Sequence, residues 1–156
     1  MYRTTVLFVW TAIVTILGPP SSAQKAKESP VLVLMETRDA PGTVDPEKLE
    51  QCLHLTLREM SLDKRELPRI AVYHVSQKTA DYLGVDTNSI WRANGGGHPR
   101  YEMWIVGTPT NSLYSYMMER ILQMHFQVAM DERQRSRILE DVERGLNATV
   151  DVRSFR

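Results

Sequence analysis

Four stretches of the chain have the apolar pattern of β-strands. Residues 31–35 are continuously apolar, which is typical of a strand buried on both faces. Residues 69–75 alternate over part of their length, and this pattern predicts a strand with Ile70, Val72 and His74 on one face. Two further strands are predicted on either side of a glycine-rich loop, where they form a hairpin: residues 89–92 and 101–106.

Apolar residues spaced three or four apart predict three main helices. The first begins at Asp45, whose side chain can accept hydrogen bonds from backbone N–H groups, and it has Pro46 in its first turn. The second helix is predicted over residues 111–129. Asp131 and Gln134 have the spacing of a capping box and predict the start of the third helix.

The order of these elements predicts an α+β fold, with a small mixed sheet of about four strands packed against three main helices. A shorter helix over residues 76–83 separates the second strand from the hairpin. We predict one domain over residues 31–150, because the 133 residues after residue 23 suffice for one core and are too few for two. Residues 151–156 are expected to be a tail, either a frayed end or a short extra strand.

The first 23 residues have the pattern of a cleavable signal peptide. Arg3 precedes an apolar stretch over residues 6–17, and small residues around Ala23 predict cleavage after that position. The stretch is shorter than the roughly 20 apolar residues that cross a bilayer, so an uncleaved membrane anchor is only the alternative. Residues 24–30 form a polar tether. We therefore expect an exported protein, periplasmic or extracellular, that contacts the membrane only if the signal stays uncleaved.

The charge balance bears on the class of partner, and the single cysteine bears on disulfide formation. The chain has 19 basic and 19 acidic residues, and removing Arg3 with the signal leaves 18 basic residues against 19 acidic ones. This balance argues against nucleic acid, because neutralising phosphates requires a basic surface. Cys52 is the only cysteine and cannot form an internal disulfide. Its leucine neighbours predict a buried thiol.

The second main helix contains the sequence Met118-Glu119-Arg120-Ile121-Leu122. A zinc peptidase has His-Glu-x-x-His at such a point, because imidazoles four residues apart on one face hold the metal while the glutamate polarises water. Only Glu119 matches this motif. An edge strand at 101–106 that leads by a short connection into this helix resembles the zincin-like metallopeptidase architecture. The resemblance implies a zincin-like scaffold that lacks the metal-binding motif.

His125 lies seven residues after Met118 and returns to nearly the same face of the helix. A metal site assembled from His74, His98 and His125 is therefore an alternative, although no two of these residues have ligand spacing. The favoured interpretation of His125 is a histidine held by one hydrogen bond at the edge of the core. No cofactor is expected on this interpretation, and zinc is the cofactor of the alternative.

Residues 101–107, 124–126 and 145–150 resemble segments of small uncharacterised exported proteins of soil bacteria. The resemblance implies a bacterial envelope or extracellular setting. It implies no substrate and no site residues.

Three classes of function remain open. The complete signal beside an incomplete motif favours a non-catalytic domain that binds a protein or peptide in the cell envelope. Its contact surface is expected beside the edge strand at 101–106, because an unpaired strand edge is a template for an extended peptide. The side chains expected to form this surface are Tyr101, Met103, Trp104 and Ile105.

The second class is a divergent metal-dependent hydrolase, in which Glu119 is the general base and His125 and His98 supply ligands or acid–base groups. The simpler interpretation of Glu119 is an exposed surface charge. The third class is a structural protein that self-associates through its methionine-rich helix. Its methionines, which fit either an interface or the core, are Met117, Met118, Met124 and Met130.

Overall fold

A computed structural model describes residues 32–62, 67–93 and 100–153, and it describes side chains as far as residue 148. The predicted signal peptide (1–23), the tether (24–30) and His98 lie outside these residues. The strands are β1 (Leu32–Glu36), β2 (Arg69–Val75), β3 (Ser89–Ala93) and β4 (Arg100–Val106). The helices are α1 (Pro46–Glu59), α2 (Gln77–Leu83), α3 (Asn111–Phe126) and α4 (Glu132–Arg153). In the described ranges, no helix combines the length and the apolar character needed to cross a membrane.

The four strands form one mixed sheet in the order β1-β2-β4-β3. β1, β2 and β4 are parallel, and Ile70 of β2 pairs with Leu32 on one side and with Tyr101 on the other. β3 runs antiparallel to β4 and ends the sheet. The predicted α+β fold with a four-stranded mixed sheet is confirmed.

The position of β4 corrects one prediction. Residues 101–106 were expected to form an edge strand, but β4 pairs with β2 on one side and with β3 on the other. Its sequence is compatible with this position, because Tyr101, Met103 and Ile105 are buried on one face and Trp104 is buried on the other. Among the described strands, the edges of the sheet are β1 and β3.

One face of the sheet, which we call the helical face, packs against α1, α3 and α4. Its buried side chains include Ile70, Val72, Tyr101, Met103 and Ile105. The facing helices contribute further buried residues to this core, among them Leu53, Met117, Met118, Leu122 and Leu146.

The methionines of α3 therefore fill the core. Met117 and Met118 are buried, and Met124 packs against the same cluster. This outcome confirms the core alternative for these three side chains. It also means that they do not offer an exposed surface to a second copy of the chain.

The opposite face, which we call the α2 face, has a smaller core. Tyr73 and Trp104 stack on it, with ring centroids 4.4 Å apart and planes 13° apart. Ala80 of α2 belongs to this second cluster. Because α2 has only seven residues, it shields only part of the face.

Local capping explains where most of the helices begin and end. Asp45 accepts hydrogen bonds from the N–H groups of the first turn of α1, as predicted. Ser76 caps α2, and Gly84 ends it in the left-handed conformation at φ 66°. Asp131 and Gln134 exchange hydrogen bonds of 2.8 and 3.2 Å, which confirms the capping box of α4.

Two helix ends differ from the prediction. α3 ends at Phe126 rather than near residue 129, because Gln127 adopts a left-handed φ of 53° and its N–H bonds to the carbonyl of Gln123. α4 continues through Arg153, so a short extra strand at 151–153 is wrong. The helical ladder, once started by its capping box, extends beyond the boundary predicted at residue 150.

Candidate functional site

Glu119 is the one motif residue that the sequence shares with zinc peptidases, and α3 places its side chain in the interior. The carboxylate is 0% exposed. Its Oε2 atom accepts a hydrogen bond of 3.1 Å from Nε of Arg135 on α4. The alternative prediction that Glu119 is an exposed surface charge is therefore wrong, because α4 covers this part of α3.

Arg135 balances the buried charge. Its side chain is 21% exposed, and its guanidinium carbon lies 5.1 Å from the centre of the Tyr116 ring, in cation–π range. Burial alone disfavours the charged guanidinium, but the Coulombic attraction of Glu119 and hydrogen bonds to Tyr116 and Glu119 raise the pKa of Arg135 above its ordinary value. The guanidinium thus stays charged beside the carboxylate.

The Glu119–Arg135 contact is a single hydrogen bond rather than a bidentate pair. Oε1 of Glu119 and Nη2 of Arg135 are both buried and have no hydrogen-bond partner among the described residues. A general base has to reach a water molecule or a substrate proton. A sealed carboxylate that is already paired with arginine is arranged to hold α3 against α4.

His74 is a fully buried histidine at the carboxyl end of β2. Its Nδ1 lies 2.8 Å from Oε1 of Glu36 at the end of β1, and its Nε2 lies 3.0 Å from the carbonyl oxygen of Gly107 after β4. The same Oε1 atom accepts a 3.0 Å hydrogen bond from the N–H of Val44. These contacts join the ends of three parallel strands to the segment that leads into α1.

The two hydrogen-bond partners of His74 indicate how each of its ring nitrogens is used. A carbonyl oxygen can only accept, so Nε2 donates to Gly107. The Nδ1–Oε1 contact then needs a further proton, carried either by the imidazole or by the carboxyl group of Glu36. Both ring nitrogens of His74 are therefore engaged, one with Glu36 and one with Gly107, which leaves neither nitrogen free to bind a metal.

His125 lies at the other end of the sheet. Its ring contacts those of Tyr101 and Phe126, with centroids 5.9 and 4.8 Å apart. Tyr101 begins β4, whereas His74 pairs with Ile105, four residues further along that strand. Four residues of strand span about 13 Å, so His74 and His125 do not belong to one site. This separation contradicts the metal alternative for these two histidines.

The described ranges offer no other metal cluster. They contain no group of three His, Cys, Asp or Glu side chains that could hold an ion. His98, the third histidine of the proposed set, lies outside those ranges.

Cys52 is buried on α1, which confirms the predicted buried thiol. Burial raises its pKa to about 12, and hydrogen bonds with Thr56 and Ser115 only partly oppose that effect. A nucleophilic cysteine needs a thiolate, and this thiol stays protonated at neutral pH.

The predicted contact surface on residues 101–106 is also wrong. Tyr101, Met103, Trp104 and Ile105 are all buried, at 4% exposure or less. The alternation of β4 turns three of these side chains, Tyr101, Met103 and Ile105, into the helical core and stacks Trp104 on Tyr73. They support the sheet and are not available to a partner.

The neighbouring strand β3 carries the surface that sequence reasoning missed. Trp91 is 54% exposed, and its indole N–H donates a 3.1 Å hydrogen bond to the hydroxyl of Ser89 on the same face. β3 pairs with β4 on one side, and no described strand pairs with its other side. Asn88 anchors the start of β3 by accepting a 2.9 Å hydrogen bond from the N–H of Val106.

This arrangement gives a fixed aromatic ring beside an open strand edge. The sequence did carry a signal for it, since Trp91 alternates with Ile90, which packs against the core. Trp91 bonds to Ser89 on its own strand and still remains 54% exposed.

The chain matches no protein-family model, no curated protein and no solved structure.

Proposed function

We propose that this protein is a non-catalytic domain that binds an extended segment of another protein or a peptide in the bacterial cell envelope. The observation that carries the proposal is the half-exposed, hydrogen-bonded Trp91 on the edge strand β3. The segment would add to the sheet beside β3, with main-chain hydrogen bonds providing affinity and Trp91 providing a contact for one side chain.

Two physical arguments support this site. An edge strand presents unpaired backbone N–H and C=O groups, which can pair with another chain. A tryptophan held in one orientation loses little conformational entropy on binding, and tryptophan is enriched among residues that dominate binding energy. Trp91 meets this condition because its indole is already fixed by Ser89.

The contacts of the acid–base candidates support binding over catalysis. Glu119 is paired with Arg135, and His74 is held between Glu36 and Gly107. Cys52 is a buried thiol. Each of these side chains stabilises the fold through contacts that a reaction would have to break.

The zincin-like scaffold without its zinc motif and the exported location are parts of the same proposal. β4 leads through a short turn into α3, which carries Glu119 between Met118 and Leu122 in place of the two ligand histidines. Export rests on the signal pattern of residues 1–23.

The test is a selection of random octapeptides on the purified protein, followed by binding measurements with Trp91→Ser. We expect this change to weaken the selected peptides by about tenfold or more, as for a binding hot spot. Tyr82→Ser is the matched control, because Tyr82 is a 75% exposed aromatic residue on α2. Both variants should keep the urea midpoint of the wild type.

Amide hydrogen exchange provides the second measurement. Peptide binding should slow exchange in residues 89–93, because a new strand would occupy their outward N–H groups. Selected peptides that bind Trp91→Ser as tightly as wild type, or that protect another element, would show that β3 is not the binding site.

A further inference from the structure

Arginines cluster at the end of the sheet where β2 and β4 begin and β3 ends. β2 and β4 begin with Arg69 and Arg100, which pair with each other, and Arg100 also pairs with Ala93 at the end of β3. Arg92 of β3 lies next to this position. In β2, β3 and β4 the only acidic residue is Glu102, so these strands carry three arginines and one carboxylate.

The register assigns these charges to both faces of the sheet. Arg100 pairs with Ala93, and Trp91 lies two residues before Ala93, so Arg100 and Trp91 share the α2 face. Arg92 pairs with Tyr101 and therefore points to the helical face, where its side chain is exposed. A segment laid along β3 meets positive charge on each side.

Glu102 balances only part of this charge. Burial raises the pKa of Tyr73, and Glu102 raises it further while Arg100 lowers it, so both charges act near the Tyr73 hydroxyl. The exposed Arg69 and Arg92 remain in excess.

We propose that the segment bound by β3 is acidic, with carboxylates facing Arg92 and apolar side chains facing Trp91. The inference rests on the proposed function, because it names the chemistry of the partner at the same strand. Alternate residues of an extended segment point to opposite faces, so a Val-Glu repeat presents both features in one register. A second copy of β3 is a poor occupant, because it would place its own Arg92 beside this one.

The experiment compares three labelled octapeptides, (Val-Glu)4, (Val-Ser)4 and (Val-Lys)4, by fluorescence anisotropy with the full chain. We expect (Val-Glu)4 to bind about tenfold more tightly than (Val-Ser)4, and (Val-Lys)4 to bind most weakly. Raising the salt from about 50 to about 300 mM should reduce the difference, because screening weakens contacts between exposed charges.

Arg92→Gln tests the residue itself. It should remove most of the preference for (Val-Glu)4 and leave (Val-Ser)4 unchanged. Arg133→Gln, which changes an exposed arginine on α4, is the control and should leave both affinities unchanged.

The outcomes separate the two proposals. Equal binding of (Val-Glu)4 and (Val-Ser)4, with loss of both in Trp91→Ser, would overturn the acidic preference and leave strand addition standing. Tighter binding of (Val-Lys)4 would overturn the preference in the same way. If none of the three peptides binds, or if binding survives Trp91→Ser, the proposed function fails together with the inference.

Discussion

The ion pair between Glu119 and Arg135 gives the sharpest prediction about the fold. Arg135→Met removes the only hydrogen-bond partner that the described residues give to a carboxylate that is 0% exposed. Removing one member of a buried pair leaves an uncompensated charge and costs about 3–5 kcal/mol of unfolding free energy. Ordinary domains have about 5–15 kcal/mol of stability, so the variant should lose a large fraction of its unfolding free energy.

Two further variants show whether the loss of stability in Arg135→Met comes from the unpaired charge or from the changed side-chain shape. Glu119→Gln keeps an acceptor for Arg135 and should cost about 1–2 kcal/mol, the range of one altered hydrogen bond. The double variant Glu119→Leu/Arg135→Met leaves no buried charge and should be more stable than Arg135→Met alone, because apolar replacement of a buried pair is often near neutral. The coupling between the two changes is then the difference from additivity.

The assay is urea unfolding followed by circular dichroism. Arg137→Met is the matched control, because Arg137 lies on the same helix, is 85% exposed and approaches Asp141 only at 4.0 Å. It should change stability by less than about 1 kcal/mol. A cost below about 1 kcal/mol for Arg135→Met would refute the view that Glu119 is sealed from water.

Three shorter predictions concern other buried contacts. Because burial raises its pKa to about 12, Cys52 should react with a disulfide reagent at pH 8 only after denaturation, and rapid labelling of the native protein would contradict this. His74→Leu leaves the carboxylate of Glu36 without its ring partner and should lower stability by about 2–4 kcal/mol in urea unfolding. Gly145→Ala places a Cβ 2.9 Å from the end of the half-buried Leu55 side chain, which can turn away, so thermal unfolding should show a near-neutral change, whereas Gly145→Val should destabilise by about 1–3 kcal/mol.

Local features of the fold were predictable because their causes lie within a few residues. Ser76 and Gly84 bound α2 through contacts at its own ends, and Asp131 with Gln134 starts α4 in the same way. Apolar periodicity was likewise sufficient to identify all four strands. These signals do not depend on where the element lies in the sheet.

The order of the strands was not predictable in this way. A strand at residues 101–106 has the same local pattern whether it ends the sheet or lies inside it. Its place is set by pairing with β2, which is about 30 residues earlier in the chain, and with β3 across the hairpin. The error placed the expected contact surface on β4, which lies inside the sheet.

The burial of Glu119 also depends on a residue that is distant in the sequence. A glutamate between Met118 and Leu122 looks exposed or motif-like from local spacing alone, and its burial depends on Arg135, sixteen residues later on another helix. A carboxylate needs a compensating charge or donor once it leaves water. A search for a basic partner on the neighbouring predicted helix was the one available signal.

The side chains around Glu119 on α3 differ from those of a zinc-peptidase site. In the zinc-peptidase motif, the two ligand positions and the glutamate share one polar site. In this chain Met118 and Leu122 are buried in the main core, and the charge of Glu119 is neutralised by Arg135 rather than shared with a ligand. With these contacts, α3 stabilises the helical face of the sheet. Under the proposed function, recognition uses exposed side chains that the core does not need, among them Trp91 and Arg92 on the edge strand β3.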